Sequence, residues 1–288
     1  MSGQDFPDPS IIRTLDGWHI FATNTRTPGK RINVQVGFSS DFKSWTYRNG
    51  YDALPRLPAW VNMDSPRVWA PDVNRRPDGT FILIINHHCL SWATSNNVEG
   101  PYVDYQKDPW ICHASQGGAI DPSGYVDTDG KRYLVYKVDG NSIGHGGECG
   151  NTSPPIVPTP IMLQQVSSHG HTKIGGAIRI LDRSEQDGPY VEAPSLSKLN
   201  GKYVLFYSSN CFVTPEYDVS YALASNIRGP YRKSGQLFVS GSKGMTAPGG
   251  GDIAINGDHF IWHANYGQGR ASYITTVGLV GDRIRASA

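Results

Sequence analysis

Short runs of alternating apolar and polar residues, each introduced by a glycine-containing turn, recur along the whole chain. Five runs begin with Asp-Gly or Asn-Gly and continue into aromatic and β-branched residues: DGWHIFATN (16–24), DGTFILIINHH (78–88), DGKRYLVYKV (129–138), NGKYVLFYSS (200–209) and NGDHFIWHAN (256–265). An Asx-Gly pair between apolar runs is a strong hairpin signal. Because an apolar run also precedes each turn, each segment predicts a β-hairpin.

The hairpins repeat at a period that indicates a closed architecture. The turn glycines Gly17, Gly79, Gly130, Gly201 and Gly257 are 62, 51, 71 and 56 residues apart. A weaker repeat, seen in GFSSDFKSW (37–45), WATSNNVEGPY (92–102) and YALASNIRGPY (221–231), predicts a third and a fourth strand after the hairpin. We therefore expect an all-β fold, a five-bladed β-propeller with four-stranded antiparallel blades, as one domain over residues 1–288. A β-sandwich also has regular strands, but it does not need five copies of one hairpin.

Composition narrows the classes of function. The net charge is +1 and the sequence has no basic stripe, which argues against a nucleic-acid partner. No run of about 18 apolar residues predicts a membrane span, and the polar start MSGQDFPDPS lacks the apolar stretch of a signal peptide. The four cysteines have no metal-type spacing and allow two disulfides or none. Asn151-Thr152-Ser153 is a glycosylation acceptor sequence.

Acidic residues stand at the start of every predicted unit. In a propeller the first strand of each blade lines the central channel, so Asp8, Asp72, Asp121, Glu192 and Asp252 are expected to face one another. Asp8, Asp121 and Glu192 each lie nine residues before the turn glycine, which predicts equivalent positions. Like charges repel and burial penalises the ionised form, so function favours such a ring more than folding does. Turn capping and a bound cation are the alternatives.

Carboxylates across a pocket can perform acid–base chemistry on a sugar. One protonated group donates to the leaving oxygen and one ionised group activates water, with a separation of about 6.5–9.5 Å when the anomeric centre is inverted. Three aromatic residues adjoin the acids and are candidates for stacking on sugar rings or for core packing: Phe6, Trp69 and Tyr190. His263 is expected near the channel, and Arg270 is expected to neutralise one channel carboxylate.

Four segments, taken together, resemble glycoside hydrolase family 43. They are FPDPSIIRTLDGWHIFAT (6–23), RVWAPDVNRRPDGTFILI (67–84), AIDPSGYVDTDGKRYLVY (119–136) and GPYVEAPSLSKLNGKYVLFYS (188–208). The resemblance implies inversion of configuration, with Asp8 as general base, Glu192 as general acid, and Asp121 orienting Glu192 and raising its pKa. It also implies an Arg270 that contacts the substrate or the base, and a channel-lining His263 that in some members helps to hold calcium. Trp69, Asp72 and His263 are further candidates for substrate contact. No cofactor is expected for the chemistry, and a structural calcium is allowed.

The resemblance leaves several activities open. The leading prediction is an exo-acting α-L-arabinofuranosidase on arabinan or arabinoxylan side chains; the alternatives are an endo-α-1,5-L-arabinanase, a β-xylosidase and, remotely, a non-catalytic glycan-binding propeller. The chain ends after the fifth unit without an accessory β-sandwich, which argues against a xylosidase, and it reads APGGGDIAI where the family often has Gly-His-Asn. Retaining sucrose- and fructan-cleaving propellers expect Asn-Asp-Pro-Asn, which is absent. A plant cell-wall polysaccharide as partner favours a secreted protein over a cytoplasmic one, and a monomer is expected.

Overall fold

The computed structural model describes residues 3–25, 31–267 and 269–287. Their strands form five antiparallel sheets arranged as the blades of a propeller. Blade 1 contains β1 (Ser10–Arg13), β2 (Trp18–Ala22), β3 (Gln35–Ser39) and β4 (Thr46–Tyr47). Blade 2 contains β5 (Trp69–Arg75), β6 (Phe81–Asn86) and β7 (Leu90–Ser95). Blade 3 contains β8 (Ala119–Val126), β9 (Arg132–Val138), β10 (Ile161–Val166) and β11 (Lys173–Leu181).

The last two blades complete the ring. Blade 4 contains β12 (Val191–Leu199), β13 (Lys202–Ser209), β14 (Val219–Ala224) and β15 (Arg232–Phe238). Blade 5 contains β16 (Gly249–Ile253), β17 (His259–Tyr266), β18 (Gly269–Val280) and β19 (Arg283–Ala286). The backbone N–H of Phe6 donates to the carbonyl of Arg270 at 2.8 Å, so the N-terminal segment closes the ring against blade 5. Within the described ranges no helix is long and apolar enough to span a membrane.

The five-bladed propeller is confirmed, with one departure in blade 2. Strand order follows chain order in every blade, as the hairpin repeat predicted. In blade 4 the two-residue turn has Asn200 at φ 47° and Gly201 at φ 80°, the paired positive φ angles that favour Asx-Gly. Blade 2 has three strands, and in place of a fourth strand β7 makes two isolated bridges, Thr94 with Val103 and Leu90 with Ile111.

Every blade enters its first strand through the same irregular backbone step. The step residues have left-handed φ angles between 38° and 55°: Asp8, Ala70, Asp121, Ala193 and Gly250. In blades 2 to 5 the strand register shifts at this point, as in a β-bulge. Glu192 therefore lies one residue before the position that Asp8 and Asp121 occupy, and the predicted three-fold equivalence is wrong. Counting from the turn glycine failed because the β12–β13 turn is shorter than the β8–β9 turn.

The core is distributed between neighbouring blades. Where blades 3 and 4 meet, buried apolar residues of both blades form one cluster that includes Val135, Val191, Leu196 and Leu205. The four cysteines form two disulfides, Cys89–Cys112 and Cys149–Cys211; the sequence had allowed two disulfides or none. Asn151 is 1% exposed, and its amide nitrogen donates to the carbonyls of Val157 and Pro189. The acceptor sequence is therefore closed to glycosylation in the folded chain.

Candidate active site

A pocket of about 550 Å³ opens at the end of the channel where the first strands begin. All five blades contribute to its wall, which brings together the three predicted catalytic carboxylates Asp8, Asp121 and Glu192. The other lining residues are Thr23, Asn24, Arg67, Trp69, Ala70, Ile120, Asp139, Asn141, Cys149, Tyr190, Ala193, Phe212, Tyr217 and Arg270. Its volume is in the range of pockets that hold a small ligand.

Asp8 is held by donors that favour an ionised carboxylate. The Thr23 hydroxyl donates to its Oδ2 at 2.7 Å, and Arg270 Nη1 donates to its Oδ1 at 3.2 Å. The backbone N–H of Asp8 donates to His263 Nδ1 at 3.0 Å, which fixes the irregular backbone step. The Asp8 side chain remains 21% exposed toward the pocket. An accessible carboxylate that is oriented by hydrogen-bond donors suits a general base.

Glu192, which blade 4 contributes to the wall, has a different environment. Tyr217 donates its hydroxyl to Glu192 Oε1 at 2.6 Å, and Lys137 Nζ donates to Oε2 at 3.2 Å. Burial raises the pKa of Glu192, and the Asp8 charge raises it further, while Lys137 and Tyr217 oppose the shift. Burial prevails, so the Glu192 carboxyl retains a proton to higher pH than an exposed glutamate does.

The pKa of Asp121 is raised as well. Asp121 accepts a hydrogen bond from the backbone N–H of Ala193 at 2.9 Å, the residue that follows Glu192. Burial, then the Glu192 charge, raises the pKa of Asp121 to about 8, although Lys137 and the Ala193 hydrogen bond oppose the rise. Near neutral pH the Asp121–Glu192 pair therefore carries a proton, while Asp8 faces it from another blade.

The predicted aromatic contacts separate into three cases. Trp69 lines the pocket, half-buried, with its ring edge-to-face with His88 at 4.9 Å. Tyr190 lies at the wall but is 1% exposed, and the Lys137 ammonium covers its ring at 4.1 Å. Phe6 is 0% exposed and packs edge-to-face on Tyr47 at 6.2 Å in the core. The prediction of stacking on sugar is thus wrong for Phe6 and for Tyr190, because neither offers a free ring face.

Asp72 is also misplaced by the sequence prediction. Asp72 lies two positions after the irregular step of blade 2, so its side chain enters a second, deeper cavity of about 30 Å³ on the axis. There it is 5% exposed, and it accepts a hydrogen bond from the backbone N–H of Gly124 at 2.7 Å. Asp72 does not line the substrate pocket, so a direct substrate contact is not supported by its position.

His263 and Arg270 both act on Asp8. His263 is fully buried, and burial, followed by the Arg270 charge, lowers its pKa to about 3. Its Nδ1 accepts the Asp8 N–H, and its Nε2 lies 3.4 Å from Arg270 Nη1, so neither nitrogen is oriented toward a cation. Nor do the described residues contain a cluster of three or more acidic, histidine or cysteine side chains arranged for a metal. His263 as placed does not fit a calcium ligand; a structural calcium stays a prediction, and no step below uses one.

Two of the three consecutive glycines in APGGGDIAI make room for side chains of the site. A Cβ on Gly249 would lie 1.9 Å from the Tyr217 ring, and one on Gly250 would lie 2.4 Å from His263 Cε1. Glycine at these positions admits the two side chains that support Glu192 and Asp8. A bulkier residue there would displace Tyr217 or His263.

Several pocket residues come from loops whose individual contacts the sequence did not predict. The long loop after β9 brings Asp139, Asn141 and Cys149 to the wall, and the β13–β14 loop brings Phe212 and Tyr217. Lys137, which lies behind the wall beside Glu192, was also missed, although it carries a usable signal because it interrupts an apolar row in β9. The disulfide Cys149–Cys211 joins the two loops and stands beside Tyr190, whose hydroxyl donates to Cys149 Sγ at 3.3 Å.

The fold and the site define a class of protein. A propeller pocket with one accessible, hydrogen-bonded carboxylate and a protonated carboxyl pair has the groups required for acid–base hydrolysis of a glycosidic bond. The model of the glycosyl hydrolases family 43 matches residues 2–279. The chain belongs to that family and is a glycoside hydrolase.

Known proteins resemble the chain at modest identity. It is 27% identical to the extracellular endo-α-(1→5)-L-arabinanase 1 of Bacillus subtilis, over 89% of this chain and 79% of that protein. It is also 27% identical to xylosidase/arabinosidase 43B of Humicola insolens, over 88% of this chain but only 45% of that protein. A crystal structure of a thermostable family-43 glycoside hydrolase superposes with a TM-score of 0.80 at 21% identity, covering 99% and 93% of the two chains. The last comparison supports the fold.

Proposed function

We propose that the chain is an inverting, exo-acting α-L-arabinofuranosidase that releases L-arabinose from arabinan or arabinoxylan side chains. The observation that carries the proposal is the pairing, in one pocket, of an accessible Asp8 with the protonated Asp121–Glu192 pair. Trp69 offers an aromatic surface at the same pocket for the face of a sugar ring.

The proposed reaction uses the chain's own carboxyl groups. Glu192 donates its proton to the glycosidic oxygen as the bond from that oxygen to the anomeric carbon breaks. A water molecule forms the new bond to the anomeric carbon from the opposite face, and Asp8 accepts the proton that this water loses. Asp121 orients Glu192 through the Ala193 N–H and, as the neighbour whose own pKa is raised by burial and by the Glu192 charge, holds a proton within the pair. Proton uptake by Asp8 and loss by Glu192 balance, so the pair is reset by one proton exchange with solvent.

Exo action is supported by the wall on the blade 3 and blade 4 side. The loop after β9 and the β13–β14 loop both reach the pocket and are tied by Cys149–Cys211. A fixed wall favours a closed pocket that accepts a chain end over a groove that accepts an internal segment. An endo-arabinanase is the second candidate, because the Bacillus subtilis relative that carries this name aligns over 79% of its length. The name of the Humicola insolens relative keeps β-xylosidase as a third.

The substrate assay separates these candidates. p-Nitrophenyl α-L-arabinofuranoside, p-nitrophenyl β-D-xyloside, branched arabinan and debranched arabinan are incubated with the enzyme, and the sugars released are separated by chromatography. Arabinose from the first substrate and from branched arabinan is the expected result. Oligomers from debranched arabinan would mean an endo-arabinanase, and xylose would mean a xylosidase. Inversion is read by NMR from the anomer first released.

The catalytic assignment is tested at Glu192. Glu192→Gln keeps the size and the Tyr217 contact but has no acidic proton, so we expect turnover to fall at least 10²-fold while oligosaccharide binding persists. Glu148→Gln, in the exposed part of the loop after β9, is the matched control and should keep normal turnover. Near-normal activity of Glu192→Gln would overturn the assignment. Silence of the wild-type enzyme on every glycan tested, with binding retained, would favour the non-catalytic propeller.

We further propose that the protein is a secreted monomer whose partner is a plant cell-wall polysaccharide. Two disulfides support an oxidising compartment, and the Bacillus subtilis relative is named extracellular. Fractionation of the source culture and size-exclusion chromatography with light scattering test the location and the oligomeric state.

A further inference from the structure

A fully buried lysine lies directly behind the proposed general acid. Lys137 is 0% exposed and does not line the pocket, although its Nζ lies 3.2 Å from Glu192 Oε2 and 3.3 Å from Asp139 Oδ1. The Tyr190 ring packs under the ammonium at 4.1 Å. An uncompensated buried ammonium is costly, so its partners must be held in place.

The strand pattern shows that this lysine is not there for packing. In β9, Tyr133 and Val135 point into the cluster shared with blade 4, and Lys137 is the next residue on the same face. An apolar side chain would continue that row at no electrostatic cost. Instead, the lysine stem fills the apolar position and the ammonium emerges at the level of Glu192.

The contacts assign different tasks to the two oxygens of Glu192. Oε2 faces an ammonium, which has only donors and cannot accept a hydrogen bond. Oε1 faces the Tyr217 hydroxyl, whose hydrogen can rotate to suit either protonation state of the carboxyl. The proton of Glu192 is therefore compatible with Oε1 and not with Oε2.

We propose that Lys137 is a positioning residue for Glu192: its ammonium fixes Oε2 and leaves Oε1 as the oxygen that delivers the proton. This inference rests on the proposed function. The same ammonium sets the upper pH limit of activity, because it stabilises the ionised form of Glu192 and so determines where the acid loses its proton. The other titratable or charged groups that influence Glu192 or Lys137 are Asp8 from blade 1, Asp121 and Asp139 from blade 3, and Tyr190 and Tyr217 from blade 4.

Two substitutions should move the pH profile in opposite directions. Lys137→Met removes the ammonium and keeps the length of the stem, so Glu192 holds its proton longer and the basic limb of kcat/KM should move up by about one pH unit or more. Asp139→Asn keeps the ammonium but removes a negative charge that competes for it, so the basic limb should move down. Lys198→Met is the matched control. Lys198 also lies over a tyrosine ring, at 4.7 Å, and near a buried aspartate, at 3.8 Å, but it is remote from the pocket.

A second readout depends on the leaving group. With Glu192 poorly positioned, kcat for Lys137→Met should fall about tenfold or more on a p-nitrophenyl glycoside that the wild type cleaves. The fall should be smaller on the corresponding 2,4-dinitrophenyl glycoside, whose phenolate leaves with little protonation. A purely structural lysine would reduce both rates equally and would leave the pH limits unchanged.

The outcomes separate this inference from the function on which it rests. If Glu192→Gln is active, the proposed function fails. If Glu192→Gln is inactive and both variants keep the wild-type basic limb, the inference about Lys137 is overturned while the function stands. If Lys137→Met does not fold, as judged by circular dichroism, Asp139→Asn decides: a downward shift supports the inference, and an unchanged or upward-shifted limb overturns it.

Discussion

Replacing Asp72 by asparagine should make the stability of the propeller less dependent on pH. Asp72 lies in the axial cavity below the pocket, where burial, followed by repulsion from Asp252, raises its pKa to about 8. Asparagine can still accept the Gly124 N–H through its amide oxygen. The substitution therefore removes the titration and keeps this hydrogen bond.

The magnitude follows from proton linkage. A carboxyl whose pKa rises from 3.8 when unfolded to about 8 when folded keeps a proton that the unfolded chain has already lost between these pH values. Its contribution to stability is fully present below pH 3.8 and is lost as pH rises through about 8. Within this window the loss is about 1.4 kcal/mol per pH unit, or about 2.7 kcal/mol from pH 5 to pH 7. For 288 residues, at about 2.1 cal/mol/K of unfolding entropy each, this equals about 4–5 °C in Tm.

Scanning calorimetry at pH 5, 6 and 7 measures the effect. The wild-type Tm should fall with pH by about 4–5 °C more than the Tm of Asp72→Asn. Asp41→Asn is the control, because backbone N–H groups of Ser44 and Lys43 lower the pKa of Asp41 to about 2, so its titration lies outside the range scanned. Parallel Tm–pH curves for wild type and Asp72→Asn would refute the reasoning, since Asp72 would then be ionised throughout.

Two further outcomes follow from the site. Phe6→Ala should destabilise the fold by about 3–5 kcal/mol and leave KM unchanged, because Phe6 is in the core. Trp69→Ala should raise KM several-fold and leave Tm nearly unchanged, because Trp69 lines the pocket. Thermal denaturation and steady-state kinetics check both, and the reverse pattern would restore Phe6 to the substrate site. Dialysis against EDTA should leave turnover intact, because the proposed reaction uses only carboxyl groups and water. A drop in Tm would reveal a structural calcium, and loss of activity that calcium alone restores would contradict this expectation.

The fold was accessible from the sequence because its signals are local. Asn200-Gly201 shows why, since the pair occupies the two positive-φ positions of a tight turn and the flanking strands alternate as they must. The missing fourth strand of blade 2 was not accessible, although WATSNNVEGPY resembles its counterpart in blade 4. Beyond Val103 the Asp104 carboxylate accepts hydrogen bonds from Ser91 and from the Gln106 N–H, which draws the chain into a turn.

The identities of the catalytic acids were predicted, but much of their surroundings was not. Asp-Pro and Glu-Ala-Pro segments mark the start of a blade, whereas Tyr217 and Phe212 arrive from a loop whose path depends on a disulfide pairing that sequence spacing does not give. Lys137 was not predicted either, although a lysine in an apolar row of a central strand needs a buried partner. Its partner, Glu192, comes from the next blade, and no local pattern links the two.

The one-residue offset of Glu192 has a chemical consequence. A carboxylate placed at the irregular step itself, as Asp8 and Asp121 are, has its backbone fixed by that step. Glu192 precedes the step, and its longer side chain meets Lys137 and Tyr217 instead. Position at the step does not by itself fix the protonation state, since Asp121 shares that position with Asp8 and has its pKa raised to about 8 by burial and the Glu192 charge. Breaking the repeat by one residue gives Glu192 an environment unlike that of Asp8, which the proposed reaction requires.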